Sequence, residues 1–299
     1  MNEPAIRVLS LGAGVQSTVL ALMACDGTLP DLDAAIFADT GWEPPAVYEQ
    51  VNRLQAEFDR AGIPLHRVSS GNLRSDALDP AHRFVSVPYF TRNADGSDGM
   101  GRRQCTSEYK LKPIKKQVRE LLGYPHPIRV PRGVYAEQWI GFSTDEVHRV
   151  RDRLDVQYER PRYPLLELGM DRKACERWLK ASGWGHTAKS ACIGCPFHGN
   201  QQWRIMRDQH PEQWADACDF DERIRKGETS AKPLDGEAFL HRSRVPLWIA
   251  PIGRVTSREW ADAQMTIDDE ISEYGDPDGC SPYGCRSGEA VEATEEGAA

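Results

Sequence analysis

The 299-residue chain lacks any run of roughly 18 consecutive apolar residues, which leaves no sequence basis for a helix spanning a membrane. Its N-terminus, Met-Asn-Glu-Pro-Ala-Ile-Arg, lacks the basic-then-apolar order of a secretory signal. Internal repeats are missing, and so is a second C-x-x-C pair to match the one at Cys192 and Cys195. Positive charge is in deficit, with 37 Lys and Arg against 45 Asp and Glu for a net charge of −8. A cytoplasmic location is therefore expected, where the eight cysteines would be reduced, metal-bound or catalytic rather than paired as disulfides. The hydrophobic fraction of 40% and charged fraction of 27% suit a folded chain long enough for one large domain or two.

The charge that is present is unevenly spread. Arg102, Arg103, Lys110, Lys112, Lys115 and Lys116 face only Glu108 within their stretch, and Arg149, Arg151, Arg153, Arg160 and Arg162 form a second basic run. Acidic residues concentrate later, in 262–278 and in a Glu-rich tail. A basic segment in an acidic protein suits a phosphate-bearing substrate or a nucleic acid, and equally suits a solvated helix face.

The first two-thirds alternates strand and helix patterns. Ile6, Val8 and Leu9 predict a strand, and Thr18–Cys25 a helix closed by Gly27. Between them stands Ser10-Leu-Gly-Ala-Gly-Val-Gln-Ser17, whose small residues let backbone N–H groups approach an anion at a helix N-terminus. An ordinary tight turn is the alternative. Ala34–Asp39 predicts a second strand. A helix follows, opened by Pro44 and Pro45, with Val47, Val51, Leu54 and Phe58 on one face. Pro64–Val68 predicts a third strand, 93–101 a loop, a helix opens near Pro113, and Glu137–Gly141 predicts another strand. This alternation implies an α/β fold with a mostly parallel sheet. Residues 1–165 form the expected nucleotide-binding α/β domain. Residues 166–285 form a mainly helical region through Asp171–Ser182, Gln201–Gln209 and Glu212–Arg225, and 286–299 a disordered acidic tail. In such sheets ligands sit beyond the carboxyl ends of strands, where the first loop and Asp39-Thr40-Gly41-Trp42-Glu43 both fall.

Cys192-Ile-Gly-Cys195, with Cys105 far upstream and Cys280 and Cys285 near the C-terminus, gives thiolates able to hold zinc or an iron–sulfur cluster, or to form a redox dithiol. Cys25, Cys175 and Cys218 lie in apolar helical patterns that predict packing, and His198 reads as a turn residue.

Taken in order, Ser10–Thr18, Asp39–Glu43, Gln104-Cys-Thr106 with Lys110 and Lys112-Pro-Ile114, Gly141–Glu146 with Arg149, and Ser190–Pro196 resemble motifs of the adenine-nucleotide α-hydrolase superfamily. Within it the chain is similar to the phosphoadenosine phosphosulfate reductase-like and N-type ATP pyrophosphatase branch, over roughly residues 5–205. The resemblance implies a doubly wound, Rossmann-like domain whose first loop holds the pyrophosphate of ATP or a related nucleotide. It also implies adenylation of an acceptor oxygen with release of pyrophosphate, then displacement of AMP by a nucleophile. Ser10, Gly12, Ala13, Gly14, Val15, Gln16, Ser17, Asp39 and Thr40 become the implied nucleotide contacts. Val15 and Gln16 depart from the family, which places Lys and Asp there. Charge must then come from Lys110, Lys112 or Arg149, and Mg²⁺ ligation from Asp39, Asp145 or Glu146.

The resemblance further implies that Cys105, Cys192 and Cys195 ligate a [4Fe–4S] cluster with one iron open, Zn²⁺ being the alternative and Cys280 or Cys285 the fourth ligand if the site is closed. The leading expectation is an ATP-dependent sulfurtransferase acting on a nucleobase, nucleoside or nucleic acid engaged through basic segment 102–119, with a separate sulfur donor. A sulfonucleotide reductase and a non-catalytic nucleotide-binding component of a nucleic-acid modification complex are the alternatives.

Overall fold

Ala34–Ala38 is apolar at every position, which calls for cover on both faces of the sheet that contains it. The computed structural model of the chain describes residues 3–82, 87–152, 155–225, 236–255 and 257, and shows this arrangement. Five parallel strands, β1 (Ile6–Leu11), β2 (Ala34–Asp39), β3 (Leu65–Ser69), β6 (Ala136–Trp139) and β7 (Glu159–Arg162), lie in the order β3-β2-β1-β6-β7. A second sheet is antiparallel, with order β5-β4-β8, formed by β4 (Phe90–Asn93), β5 (Asp98–Met100) and β8 (Gly236–Phe239).

Strand alternation sorts the core into layers. Leu9, Leu11, Ala35 and Phe37 face α1 (Val15–Cys25) and α2 (Pro45–Ala61). Val8, Ile36 and Ala38 face Ile114 and Val118 of α4 (Lys112–Leu121) on the opposite side. The short α3 (Leu73–Leu78) follows β3, and α5 (Pro164–Glu167) follows β7. From α6 (Arg172–Ala181), Cys175 and Leu179 join the α1 layer, so residues on both sides of position 165 share one core. A third cluster gathers Trp42, Tyr109 and Cys192 with Trp203 and Met206 of α7 (Asn200–Gln209) and Ala217, Phe220 and Ile224 of α8 (Pro211–Arg225).

Several boundaries differ from the sequence expectation for identifiable reasons. The expected loop 93–101 holds the β4–β5 hairpin. Its turn closes through Asn93 N–H to the Ser97 carbonyl at 2.9 Å, with Gly96 at φ +82°. The expected helix near Pro113 begins earlier, as a π-helix over Thr106–Leu111 that runs into α4. Its widened turn, where Lys112 N–H reaches the Ser107 carbonyl, precedes a proline that has no N–H to donate. α1 starts at Val15 rather than Thr18, which draws Gln16 and Ser17 into its first turn.

Candidate functional site

The chain leaves β1 toward β2 and β3 and later returns to β6 on the other side of β1. The carboxyl ends of β1 and β6 are thus where the strand order reverses, the usual place for a ligand in such a sheet, and the loops leaving them pack against each other. Gly12–Gly14 belong to the β1 loop. Ala13 is fully buried at φ +55°, a left-handed conformation unfavourable for a residue with a Cβ. Gly14 caps α1 with no side chain to offer the first-turn N–H groups, and Ser17 Oγ donates to the Gly14 carbonyl at 3.3 Å. Gly141, after β6, packs so closely that a Cβ there would sit 3.0 Å from Ser17 N.

Gln16 joins the two loops. Its Nε2 donates to Glu146 Oε2 at 3.1 Å and approaches Ser143 Oγ at 3.5 Å. Glu146 pairs with Arg149 on the 3₁₀ helix Thr144–Arg149, both side chains buried. Burial pushes the Glu146 carboxyl above its ordinary range, against the pull of the Arg149 charge. The Arg149 guanidinium lies 4.7 Å from the centre of the Phe142 ring. Asp145 Oδ2 accepts from Arg172 N–H at 2.7 Å, tying this loop to the start of α6.

The β2 exit carries a second polar group. Asp39 Oδ1 accepts from Gly41 N–H at 2.7 Å and from the Tyr48 hydroxyl at 2.8 Å. Glu43 is buried, and its Oε1 accepts from Thr40 Oγ1 at 3.3 Å and Cys192 Sγ at 3.5 Å, with Lys110 Nζ also at 3.5 Å. Cys192 Sγ is itself 3.3 Å from Thr40 Oγ1. The other carboxylate oxygen, Oε2, is buried with no hydrogen-bond partner.

The segment leading to the thiols lies across both exits. Ser190 Cβ sits 3.7 Å from where a Gly14 Cβ would be, and Ile193 N–H donates to the Trp42 carbonyl at 3.0 Å. Cys195 N–H donates to the Cys192 carbonyl at 3.1 Å, and His198 Nε2 lies 3.0 Å from the same carbonyl oxygen. Cys105, at the cap of the π-helix, packs against the apolar cluster that holds Cys192. The donor chemistry of these three suits a thiolate-held group. Among the described residues, no three His, Cys, Asp or Glu side chains converge as ligands of a single ion. Cys280 and Cys285 lie outside the described residues. Cys175 is buried and Cys25 and Cys218 half-buried; burial pushes their thiols up to about 12, 11 and 12 respectively.

Gln16, Ser17, Glu146 and Arg149 thus gather where the β1 and β6 loops meet, and Thr40, Lys110 and Cys192 around Glu43 at the β2 exit. Ser10 stays inside the sheet, where its Oγ accepts from Gln138 at 2.6 Å. Much of the basic run 102–119 has local partners: Lys112 pairs with Glu108, Lys115 with Asp155, and Arg119 donates to the Tyr124 and Ile128 carbonyls. Trp42 and Glu43 fall within the Asp39–Glu43 motif of the sequence, which gives them no individual role, and Gln50 lies outside every motif. Gln50 had a signal there, being the one polar side chain on the Val47–Val51–Leu54 face of a helix. No protein-family model matches the chain, and no curated protein is similar to it.

Proposed function

We propose that this protein is an ATP pyrophosphatase-type sulfurtransferase on a doubly wound fold of the adenine-nucleotide α-hydrolase kind, its C-terminal region mainly helical. The supporting observation is the seat of the thiol-bearing turn directly on the two strand exits, through Ser190 on Gly14 and Ile193 on Trp42. A nucleotide held by one exit and a thiol held at the other are then brought within reach of one acceptor.

In this reading the backbone of Gly12–Gly14 and the first turn of α1 hold the phosphates of MgATP, with the helix dipole in place of the absent loop lysine. Glu146, oriented by Gln16 and Arg149, and Asp39 are the carboxylates available for Mg²⁺. The acceptor, a nucleobase, nucleoside or nucleic acid, presents a carbonyl oxygen that attacks the α-phosphorus, and pyrophosphate leaves. Sulfur then displaces AMP at the same carbon. Cys105, Cys192 and Cys195 would have to draw together to hold an iron–sulfur cluster, which when bound would supply a Lewis-acidic iron beside the acceptor. Lys110, paired to Glu43 rather than directed to a phosphate, keeps the pocket around Cys192 charge-balanced.

Anaerobic purification tests the thiol half. The expected product is brown, with iron and acid-labile sulfide that Cys105→Ala and Cys192→Ala both lose; a colourless protein holding zinc overturns it. Formation of AMP and pyrophosphate from MgATP with sulfide and a panel of nucleobases, nucleosides and tRNA tests the other half. Tight nucleotide binding without either product across that panel favours the non-catalytic reading instead.

A further inference from the structure

One buried amide joins the loop to the segment above it. Gln50, 3% exposed on α2, donates through Nε2 to the Ala13 carbonyl at 2.8 Å and to Thr18 Oγ1 at 2.9 Å. Its Oε1 accepts from the Ala188 N–H at 2.8 Å. Both amide hydrogens and one oxygen lone pair are thereby used, in a setting of fully buried Val47, Val51 and Leu54. A polar side chain buried on an apolar helix face is retained only where its bonds are made, because an unsatisfied buried amide bears its full desolvation penalty. The three bonds also join parts that carry the site. Ala13 is the strained residue of the phosphate loop, Thr18 lies in the helix that follows it, and Ala188 begins the segment that runs through Ser190 to Cys192 and Cys195. Strain of this kind persists only where surrounding bonds over-determine it.

We infer that Gln50 is a positioning residue that couples the phosphate loop to the thiol-bearing segment, so that a nucleotide seated at Gly12–Gly14 orders residues 188–195. The inference rests on the nucleotide reading above. Gln50 touches neither reacting group; it fixes the Ala13 peptide that faces the phosphates and the Ala188 peptide from which the cysteine segment departs.

Amide hydrogen exchange of the full chain, with and without MgATP, reads this coupling at the peptides covering 186–195. In the wild type MgATP is expected to slow exchange there about fivefold or more, the lower range of site-to-site coupling. In Gln50→Met, of similar length but without the amide, saturating MgATP is expected to leave exchange in 186–195 unchanged and nucleotide affinity to fall about tenfold. Gln50→Asn withdraws the amide by one methylene and is expected to lose the same response; it carries the test if Gln50→Met does not fold. A folded Gln50 variant whose 186–195 peptides still respond to MgATP as in the wild type overturns the coupling. So does a wild type that binds MgATP without slowing in that segment. A wild type that does not bind MgATP overturns the nucleotide reading, and this inference with it.

Discussion

Gly194 packs against the Trp42 indole so closely that a Cβ at Gly194 would overlap the ring. The ring also touches Phe220, at 4.6 Å between centroids, and donates from Nε1 to Asp216 Oδ2 at 2.6 Å. A shift of the indole away from Gly194 would disturb these contacts. The glycine of Cys-Ile-Gly-Cys is therefore what lets the thiol turn settle on the β2 exit.

Gly194→Ala is expected to destabilise the fold by about 1–3 kcal/mol, the usual range for overpacking a full core. Chemical denaturation followed by tryptophan fluorescence measures the loss. Near-wild-type stability with an unshifted emission spectrum would show that the turn does not depend on this contact.

The Glu43–Lys110 pair is buried, with side chains 1% and 7% exposed. Removing one charge strands the other, which in buried pairs costs about 3–5 kcal/mol. Lys110→Met is expected to show a loss of that order, and Glu43→Gln/Lys110→Met to recover most of it. Urea unfolding of the single and double variants separates this from a role for Lys110 on phosphate, which predicts full stability and weakened nucleotide binding in the single variant.

Glu159, on β7, has both carboxylate oxygens buried without a hydrogen-bond partner, and burial lifts its pKa from 4.5 to about 7. Between pH 4.5 and 7 the unfolded chain gives up this proton while the folded protein retains it, so stability falls as pH rises through that window. The fall attributable to Glu159 is roughly 3 kcal/mol at most. Glu159→Gln is expected to unfold at higher temperature than the wild type at pH 8, with the gap closing by pH 4.5. A gap independent of pH would contradict the assignment.

Strands β1 and β2 and the helices carrying Val47–Phe58 and Asp171–Ser182 were legible because apolar periodicity alone specifies them. The β4–β5–β8 sheet was not, because β8 lies far along the chain from its partner and neither run alternates clearly. The loop Gly12–Ser17 declared itself through small residues between a strand and a helix. Glu43 and Trp42 did not, since their importance comes from Cys192 and Gly194, which only tertiary folding brings to them. Lys110 is a further case: its place in a basic run suggests a phosphate partner, and the fold adds a buried carboxylate, Glu43, 3.5 Å away on another element. Charge read along a sequence cannot identify the partner across a fold.

Calorimetric titration of MgATP into the wild type and Gly12→Val reads whether Gly12–Ser17 seats a nucleotide beneath the thiol turn. A Gly12 Cβ would stand in ordinary contact with Ser17 Oγ, at 3.7 Å, and the two methyl groups of valine add bulk at the loop itself. Saturable binding to the wild type is expected, weakened at least about tenfold (1.4 kcal/mol) in a folded Gly12→Val. Absence of binding to the wild type, or equal affinity in the variant, would contradict that seating.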